Sequence, residues 1–429
     1  MVILKNSPDG LYHSSTHQKN KRNVREIMKK FSIKYLHHIT LKLFCFLCND
    51  LWVIKGTEKF SEQPLSLLFY GCPENLNYFK HHFFEEIEQE QYLGYKYLWQ
   101  LRGIFKQHRD SVTIFEGNPF TRLLLKRRND FFIPSWIKGV YDLPMQVDHH
   151  AVASFMKQIR KNNLTYRVSA EKQDVEYFIH NMYLPYMNIR FGNESHAQTE
   201  STILKTMNTS KCHVLFVLYQ DEPITGMFIV ENENKLPNSW LMGVKDGNFD
   251  YIKMGGVAAA YYYSADFLTK QGYNRMLGGA TRPFLRDGNL AFKRKWGFRV
   301  VTCSFTGFLL KPNAYSPGKL SLLQNNPFVF HSWGKLHGAI FIDEGQSHQV
   351  YKNRKKFFCN GLDAMAFYRI DGPDNWLQFT CKVKARERSR QDKDTGIQQD
   401  CTAKPKKIIP RAIAFSTKVA SLIIHHQIQ

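Results

Sequence analysis

Apolar and polar residues alternate along the chain with two different periods, which predict short strands and amphipathic helices. Compact apolar runs bounded by turn residues predict buried strands at 65–71 and 111–117. Between these strands, apolar side chains recur at helical spacing, and residues 74–101 are predicted to form one amphipathic helix. A further helix is predicted from about residue 24 to residue 51, after a polar and basic arm.

A second group of elements fills the chain up to residue 208. Pro185 falls within a helical pattern and is expected to kink or split that helix. The predicted elements are extended residues over 131–143, a helix over 149–163, a strand over 164–169, a helix over 174–192 and a short helix over 201–208.

From Cys212 the pattern predicts the order β-β-β-α-β-α-β. Glycine marks both ends of the first helix, and Asp287 is suited to cap the start of the second. The elements are strands over 212–220, 224–232 and 239–245, a helix over 255–272, a strand over 273–279, a helix over 288–297 and a strand over 298–310. This order predicts an α/β protein with a mixed sheet and helices on its faces.

The composition supports a folded, basic protein. The chain has 429 residues, 43% of them apolar, which is enough for a sizeable core. Its 59 Lys and Arg against 37 Asp and Glu give a formal net charge of +22. Such a surface attracts polyanions, so nucleic acid, phosphorylated co-substrates, anionic glycans and anionic membrane surfaces are all candidate partners.

Neither a metal site nor a membrane span is predicted. Cys45 and Cys48 have no second pair at zinc spacing, and His149-His150 has no third ligand nearby. The most apolar window, residues 41–54, is interrupted by polar residues and is too short to cross a bilayer. Sparse cysteines and the absence of a secretory leader predict a cytoplasmic protein, with peripheral attachment to a membrane left open.

The glycine pair before the first long helix is a candidate phosphate site. A helix start presents unpaired N–H groups and the positive end of the helix dipole, and glycine lets an anion approach closely. Lys253 adds a positive charge just before Gly255 and Gly256. The alternative is that the two glycines only give the helix a flexible start.

These residues carry a resemblance to the GNAT acyltransferase superfamily. Lys253-Met-Gly-Gly-Val-Ala258 is similar to its pyrophosphate loop, with Lys in the first place, and Asn289 and Gly297-Phe298 approximate a later signature. Lys293 stands where that family carries a tyrosine. The stretch from Arg282 to Gly297 more closely resembles the FemAB-like branch, as do two upstream motifs, Ile159–Tyr166 and Met182–Tyr186.

The resemblance covers about residues 65–310 and implies two tandem GNAT-like halves, the second better formed. It implies transfer of an acyl group from acyl-CoA, with acetyl-CoA expected, to an amino or hydroxyl acceptor such as a sugar or cell-envelope precursor. The third strand would splay from the next one and bind the pantetheine arm. The implied donor-binding residues are Leu241, Met242, Gly243 and Val244 for pantetheine, and Lys253, Gly255, Gly256, Ala258 and Asn289 around the pyrophosphate.

Direct attack of the acceptor on a thioester needs positioning, a proton acceptor and a polarising donor. Lys293 would donate a proton or clamp an anion, unless it is ordinary solvated surface. Candidate bases are Glu231, Asp246 and Asp250, at predicted strand ends. Candidate substrate contacts are Arg282 and Asp287, which could instead pair with each other, and Tyr186 and Arg190, of which Tyr186 could simply pack in the core.

The expected domains are a basic arm and helix (1–60), a degenerate half (61–200), an acyltransferase half (201–310), an α/β extension (311–382) and a charged tail (383–429). Two other functions remain open. A Fem-like transferase using aminoacyl-tRNA is favoured by the net charge and by Phe292-Lys293 near Gly297-Phe298. A non-catalytic protein that binds an anionic glycan or a membrane is favoured by the lack of an evident acid–base pair.

Overall fold

The structure is a computed structural model that describes residues 48–125, 130–145, 149–192, 197–231, 236–332, 334–343, 356–370 and 378–384. The predicted N-terminal arm, most of the helix predicted before residue 51 and the charged tail beyond residue 384 lie outside these ranges.

Seventeen strands are described within these ranges. They are β1 (Cys48–Glu58), β2 (Pro64–Tyr70), β3 (Phe84–Tyr97), β4 (Val112–Gly117), β5 (Phe131–Pro134), β6 (Ile137–Asp142), β7 (Thr165–Ser169), β8 (Lys211–Tyr219), β9 (Glu222–Glu231), β10 (Asn238–Val244), β11 (Arg275–Thr281), β12 (Arg299–Cys303), β13 (Gly307–Lys311), β14 (Phe328–Ser332), β15 (Lys335–Asp343), β16 (Ala364–Ile370) and β17 (Gln378–Lys384).

The α-helices of the same ranges are α1 (Pro73–Phe83), α2 (Leu101–Gln107), α3 (Pro119–Leu125), α4 (His149–Lys161), α5 (Lys172–Phe178), α6 (Leu184–Phe191), α7 (Glu200–Thr209), α8 (Phe249–Lys253), α9 (Gly256–Lys270), α10 (Gly288–Lys295) and α11 (Pro317–Asn325). A π-helical turn over Ile179–Tyr183 joins α5 to α6, so Pro185 falls in the first turn of α6 and does not break the helix.

Three mixed sheets organise these elements. The first has the strand order β3-β1-β2-β4-β13-β5, the second β12-β6-β11-β10-β9-β8-β7, and the third β14-β15-β16-β17. The predicted mixed α/β class is confirmed, and β8 to β12 with α9 and α10 reproduce the predicted order from Cys212.

The first two sheets exchange one strand each. β5 stays in the first sheet while β6 crosses to the second, and β12 stays in the second while β13 crosses back between β4 and β5. The two crossing connections bond to each other, since Ser135 N donates to Thr306 O at 3.0 Å and Ser304 N donates to Trp136 O at 2.8 Å. Sheet membership therefore does not follow the predicted boundary between residues 200 and 201.

The second sheet is covered on both faces because its strand residues alternate between two cores. Met227 and Ile229 pack with the alanines of α9 on one face. Phe228 and Val230 pack with Phe178 of α5 on the other face. Helix α9 and the α5–α6 segment thus lie on opposite sides of β9 and β10.

Three predicted elements were wrong. The helix predicted over 74–101 ends at Phe83, and Phe84–Tyr97 is an edge strand paired with β1. Residues 48–51, predicted to end a helix, are the first residues of strand β1. The single strand predicted over 298–310 is two strands, β12 and β13, in different sheets, because the chain turns at Ser304 to cross between them.

Candidate active site

The second sheet opens between β10 and β11. These parallel strands pair at only one position, Asn238 with Leu277, and then diverge towards their carboxyl ends. The register of β10 against β9 shifts between Ser239 and Leu241. Beyond that shift, alternate N–H and C=O groups from Leu241 to Val244 bond to β9, and the others face this gap. The strand splay that the resemblance implied is therefore present.

The corresponding strands of the first sheet do not open. β2 and β4 stay paired over four positions, from Leu67 with Val112 to Tyr70 with Phe115. In addition, the Glu116 carboxylate accepts the N–H of Cys72 at 2.9 Å, so a side chain of the protein already occupies the start of α1. The only gap of this kind among the described strands belongs to the second half.

A β-bulge lies on the β11 side of the gap. The register of β11 against β6 shifts between Leu277 and Ala280, and Gly279 has φ of +67°, a conformation that favours glycine. A Cβ on Gly279 would lie 3.8 Å from both the Ser239 carbonyl oxygen of β10 and the Lys293 Nζ. Ser239 O and the Lys293 ammonium therefore border the same small space.

Lys293 is buried and points at this bulge. Its side chain is 3% exposed, and Nζ donates to Ala280 O at 3.0 Å. Burial lowers the pKa of Lys293 to about 8, while the nearby Asp287 carboxylate acts in the opposite direction. Of its two basic neighbours, Arg294 is half-buried and donates to Leu285 O at 3.1 Å, and Lys295 is exposed, so of the three only Lys293 points at the bulge.

Asp287 positions the helix that carries Lys293. Its carboxylate accepts the Leu290 N–H at 2.9 Å, which confirms the predicted N-cap of α10. Thr281 Oγ1 donates to the same oxygen at 3.4 Å. The alternative in which Asp287 pairs with Arg282 is wrong, because no ion pair joins them. Asn289, the next predicted contact, is exposed in the first turn of α10.

Arg282 lies two residues beyond Ala280, and its guanidinium lies over the rings of Tyr78 and Trp136. Its Cζ is 4.3 Å from the first ring centroid and 4.2 Å from the second. The guanidinium donates to Asn75 Oδ1 and to Ser135 O, each at 3.4 Å. Burial lowers the pKa of Arg282. The first half thus supplies two rings and two acceptors to an arginine of the second half.

Tyr186 and Arg190 meet the long helix α9. The Arg190 guanidinium donates to the Tyr186 hydroxyl one turn away, and Tyr186 is buried. Both groups act on Tyr261 of α9, whose pKa is raised by burial and then by Tyr186, with Arg190 opposing. Tyr261 packs edge-on against Phe292, whose ring centroid is 5.2 Å away. Residues from opposite faces of the sheet therefore come together beside the helix that carries Lys293.

The predicted pyrophosphate cradle is covered. Gly255, Gly256 and Ala258 are all buried, and a Cβ on Gly256 would lie 2.3 Å from Thr225 Oγ1. Asn162 Nδ2 also donates to the carbonyl just before Gly255, at 2.8 Å. The glycines are covered because the short helix α8 and helix α4 both pack against the start of α9. This loop therefore does not present an open anion site.

The acidic candidates lie in different places. Asp246 lies two residues after β10, at the open end of the gap, and is exposed, with φ of +53°. Asp250 is also exposed and forms an ion pair of 2.9 Å with Lys253, which leaves both side chains in solvent. Of the predicted pantetheine strand, Leu241 and Val244 are buried, Met242 is half-buried, and Gly243 lies under the π-helical turn.

Glu231 is not part of this group. It ends β9 at the closed end of the gap, where Asn238 pairs with Val230. Burial alone would raise the pKa of Glu231, but bonds from Tyr273, Lys211 and His213 together hold that pKa below its ordinary value. A carboxylate that already accepts three donors is a weak base, so Glu231 stabilises the strand ends instead.

The chain matches no family model and no curated protein sequence. Among solved structures it is similar to the C-terminal domain of a protein named as a lysylphosphatidylglycerol synthetase from Agrobacterium fabrum, with 12% identity, 61% of this chain and 80% of that chain covered, and a TM-score of 0.29. It is similar to L-PGS from Bacillus licheniformis, with 12% identity, coverage of 60% and 81%, and a TM-score of 0.29. A tandem GNAT protein from the clavulanic acid biosynthesis pathway gives 9% identity, coverage of 59% and 79%, and a TM-score of 0.26.

The second half has the topology of a GNAT-like fold. Three antiparallel strands, a helix, a diverging parallel strand and a second helix give the second half that topology.

Sequence reasoning missed four residues of the site. Tyr261 was treated only as part of a helix, and Tyr78, Trp136 and Ser239 were not singled out at all. The i, i+3 spacing of Asn75 and Tyr78 indicates a shared helix face, but nothing local indicates that Arg282 contacts it. No group of three or more His, Cys, Asp or Glu in the described ranges is arranged to hold a metal ion. Nor is any helix of those ranges long and apolar enough to cross a membrane.

Proposed function

We propose that the protein is an acyltransferase whose donor places its acyl carbonyl in the gap between β10 and β11, beside Lys293. The observation that supports this most strongly is a buried ammonium at the point where two strands diverge. Burying a charged lysine is costly unless it serves a partner, and its lowered pKa suits proton transfer near neutral pH.

In the proposed reaction the acceptor nitrogen or oxygen attacks the acyl carbon, and the bond from that carbon to the leaving group breaks. Unpaired backbone N–H groups of β10 polarise the carbonyl oxygen. The proton of Lys293 passes to the leaving thiolate or alkoxide, which departs as a thiol or hydroxyl. The acceptor loses its own proton to water or to Asp246, the exposed carboxylate at the open end. Tyr186 and Arg190 orient the acceptor.

Acyl-CoA, with acetyl-CoA first, is the proposed donor, because an extended pantetheine arm can pair with the free edge of β10. Aminoacyl-tRNA, as in a FemAB-like enzyme, is the second candidate. The covered start of α9 favours it, since that donor brings no pyrophosphate to Gly255 and Gly256, and so does the net charge of +22. The acceptor proposed for either donor carries an amino or hydroxyl group, as sugars and cell-envelope precursors do.

Calorimetry with acetyl-CoA, a long-chain acyl-CoA and charged tRNA tests the proposal. We expect saturable binding of one donor class, with a much steeper salt dependence if that donor is tRNA. Lys253→Glu is the informative variant for CoA binding. The Lys253 side chain lies in solvent, so the substitution reverses the charge there without disturbing packing. Lys335→Glu, which reverses the charge of another exposed and ion-paired lysine on β15 of the third sheet, is the matched control. No binding of any donor up to millimolar concentration would reject the proposal.

A further inference from the structure

Arg282 is a buried cation whose hydrogen bonds are long and go only to neutral acceptors. Its side chain is 9% exposed, and both acceptors, Asn75 Oδ1 and Ser135 O, lie at 3.4 Å. The carboxylates of Glu116 and Asp287 act on it from a distance, but neither forms an ion pair with it. Both carboxylates are already bonded, to the start of α1 and to the start of α10. A guanidinium in this setting still has donor capacity for an anion.

The two rings around Arg282 restrict how such an anion could bind. The guanidinium lies over the rings of both Tyr78 and Trp136, with Cζ 4.3 Å and 4.2 Å from the two ring centroids. Because a guanidinium donates only in its own plane, an anion can bind only at its N–H edge, and that edge matches the paired oxygens of a carboxylate or phosphate. Asn75, Tyr78 and Trp136 are half-buried, so this edge lies just beneath the surface.

A second, independent observation concerns Tyr78. Its hydroxyl oxygen is buried and has no hydrogen-bond partner. Burial raises its pKa, so the hydroxyl stays protonated and is a free donor. A buried hydroxyl without a hydrogen-bond partner lowers stability. Its position beside Arg282, whose own hydrogen bonds are long, is explained if both groups donate to the same ligand.

We propose that Arg282 and Tyr78 bind an oxyanion carried by the acceptor substrate, either a phosphate or a carboxylate. This rests on the proposed acyltransferase function only in naming the ligand as the acceptor. Ala280 O, which holds Lys293, lies two residues before Arg282, about 7 Å along the strand. An acceptor anchored by its anionic group at Arg282 therefore has its nucleophile within reach of the gap.

The test is calorimetric titration of the full chain with phenyl phosphate and with benzoate, and with benzyl alcohol as an uncharged control. We expect one-site, saturable binding of phenyl phosphate or benzoate, and the preferred probe identifies the anion as phosphate or carboxylate. Tyr78→Phe should weaken binding at least tenfold without lowering the thermal midpoint, because the lost hydroxyl has no partner in the free protein. Arg282→Lys, which keeps the charge but loses the planar fork, should weaken binding further.

Two results would overturn the proposal. One is the absence of saturable binding of either anion, and the other is unchanged affinity in Tyr78→Phe or Arg282→Lys. Lys293→Met separates this site from the proposed reaction, since neither probe carries an acyl group. That variant should bind both probes like the wild type while losing acyl transfer. Normal binding with no acyl transfer in the wild type would count against the reaction alone.

Discussion

Replacing Lys293 by methionine tests the buried ammonium directly. Methionine has a similar length and no charge, so it removes the cost of keeping the ammonium out of water. A fall in pKa from its ordinary value of 10.5 to about 8 corresponds to about 3 kcal/mol, at about 1.4 kcal/mol per pKa unit. Loss of the hydrogen bond to Ala280 O destabilises the variant by about 1–2 kcal/mol and offsets part of this stabilisation. The net expectation at pH 7 is a variant more stable by about 1–2 kcal/mol.

The pH dependence of stability is the more discriminating quantity. Between the folded pKa near 8 and the unfolded pKa near 10.5, the unfolded wild type binds more protons than the folded wild type. The free energy of unfolding of the wild type therefore rises with pH across this window. Because Lys293→Met has no such proton, its advantage should shrink by about 2 kcal/mol between pH 7 and pH 9.5.

Urea unfolding followed by tryptophan fluorescence at the two pH values measures this difference, and Lys295→Met is the matched control. Lys295 lies on the same helix turn but is exposed, so its replacement should leave the pH dependence as in the wild type. Acyl transfer should fall by about 100-fold or more in Lys293→Met only. Equal pH dependence of stability in wild type and Lys293→Met would falsify the claim that burial destabilises this ammonium.

Three further substitutions have defined outcomes. Asp287→Ala should lower the unfolding free energy by about 1 kcal/mol, because it removes the helix cap. Asp287→Asn keeps the cap and should lose less than half as much. Equal losses for the two variants in urea titrations would contradict the capping role. Gly243→Ala should destabilise by about 1–3 kcal/mol, because its Cβ would meet helix backbone at 2.6 Å, while Gly288→Ala meets nothing within 4 Å and should be neutral in the same titrations. Glu231→Gln should leave the rate of acyl transfer unchanged. It should lower the unfolding free energy at neutral pH, and this difference from the wild type should disappear as pH falls through the lowered folded pKa of Glu231. A large loss of rate at full stability would instead identify Glu231 as the base.

The sequence predicted those elements whose signals are local. Asp287 caps α10 because an aspartate before a helix accepts an amide of its first turn, and Gly272 ends α9 with φ of +84°. Phe84–Tyr97 was misassigned because its apolar residues continue the spacing of α1 while its strand pairing with β1 comes from tertiary structure. Propensity cannot reveal such a partner.

The candidate site was predictable only in part, for a similar reason. Three successive basic residues on a helix cannot all point the same way, and this was evident from the sequence; which one is buried was not. Lys293 is inward because Phe298 and the β11 bulge lie on that side. Arg282 depends on Tyr78 and Trp136, residues distant in sequence that only the exchange of strands brings to it.

The exchanged strands also constrain how the chain is made. β13 occupies an interior place in the first sheet, pairing with β4 on one side and β5 on the other. During synthesis from the N-terminus, that place stays empty until Lys311 has left the ribosome. The first sheet therefore stays incomplete, with β4 and β5 unjoined, until all seven strands of the second sheet have been made. Exposed strand edges are prone to mispairing, so β4 and β5 stay open to wrong partners until β13 is available.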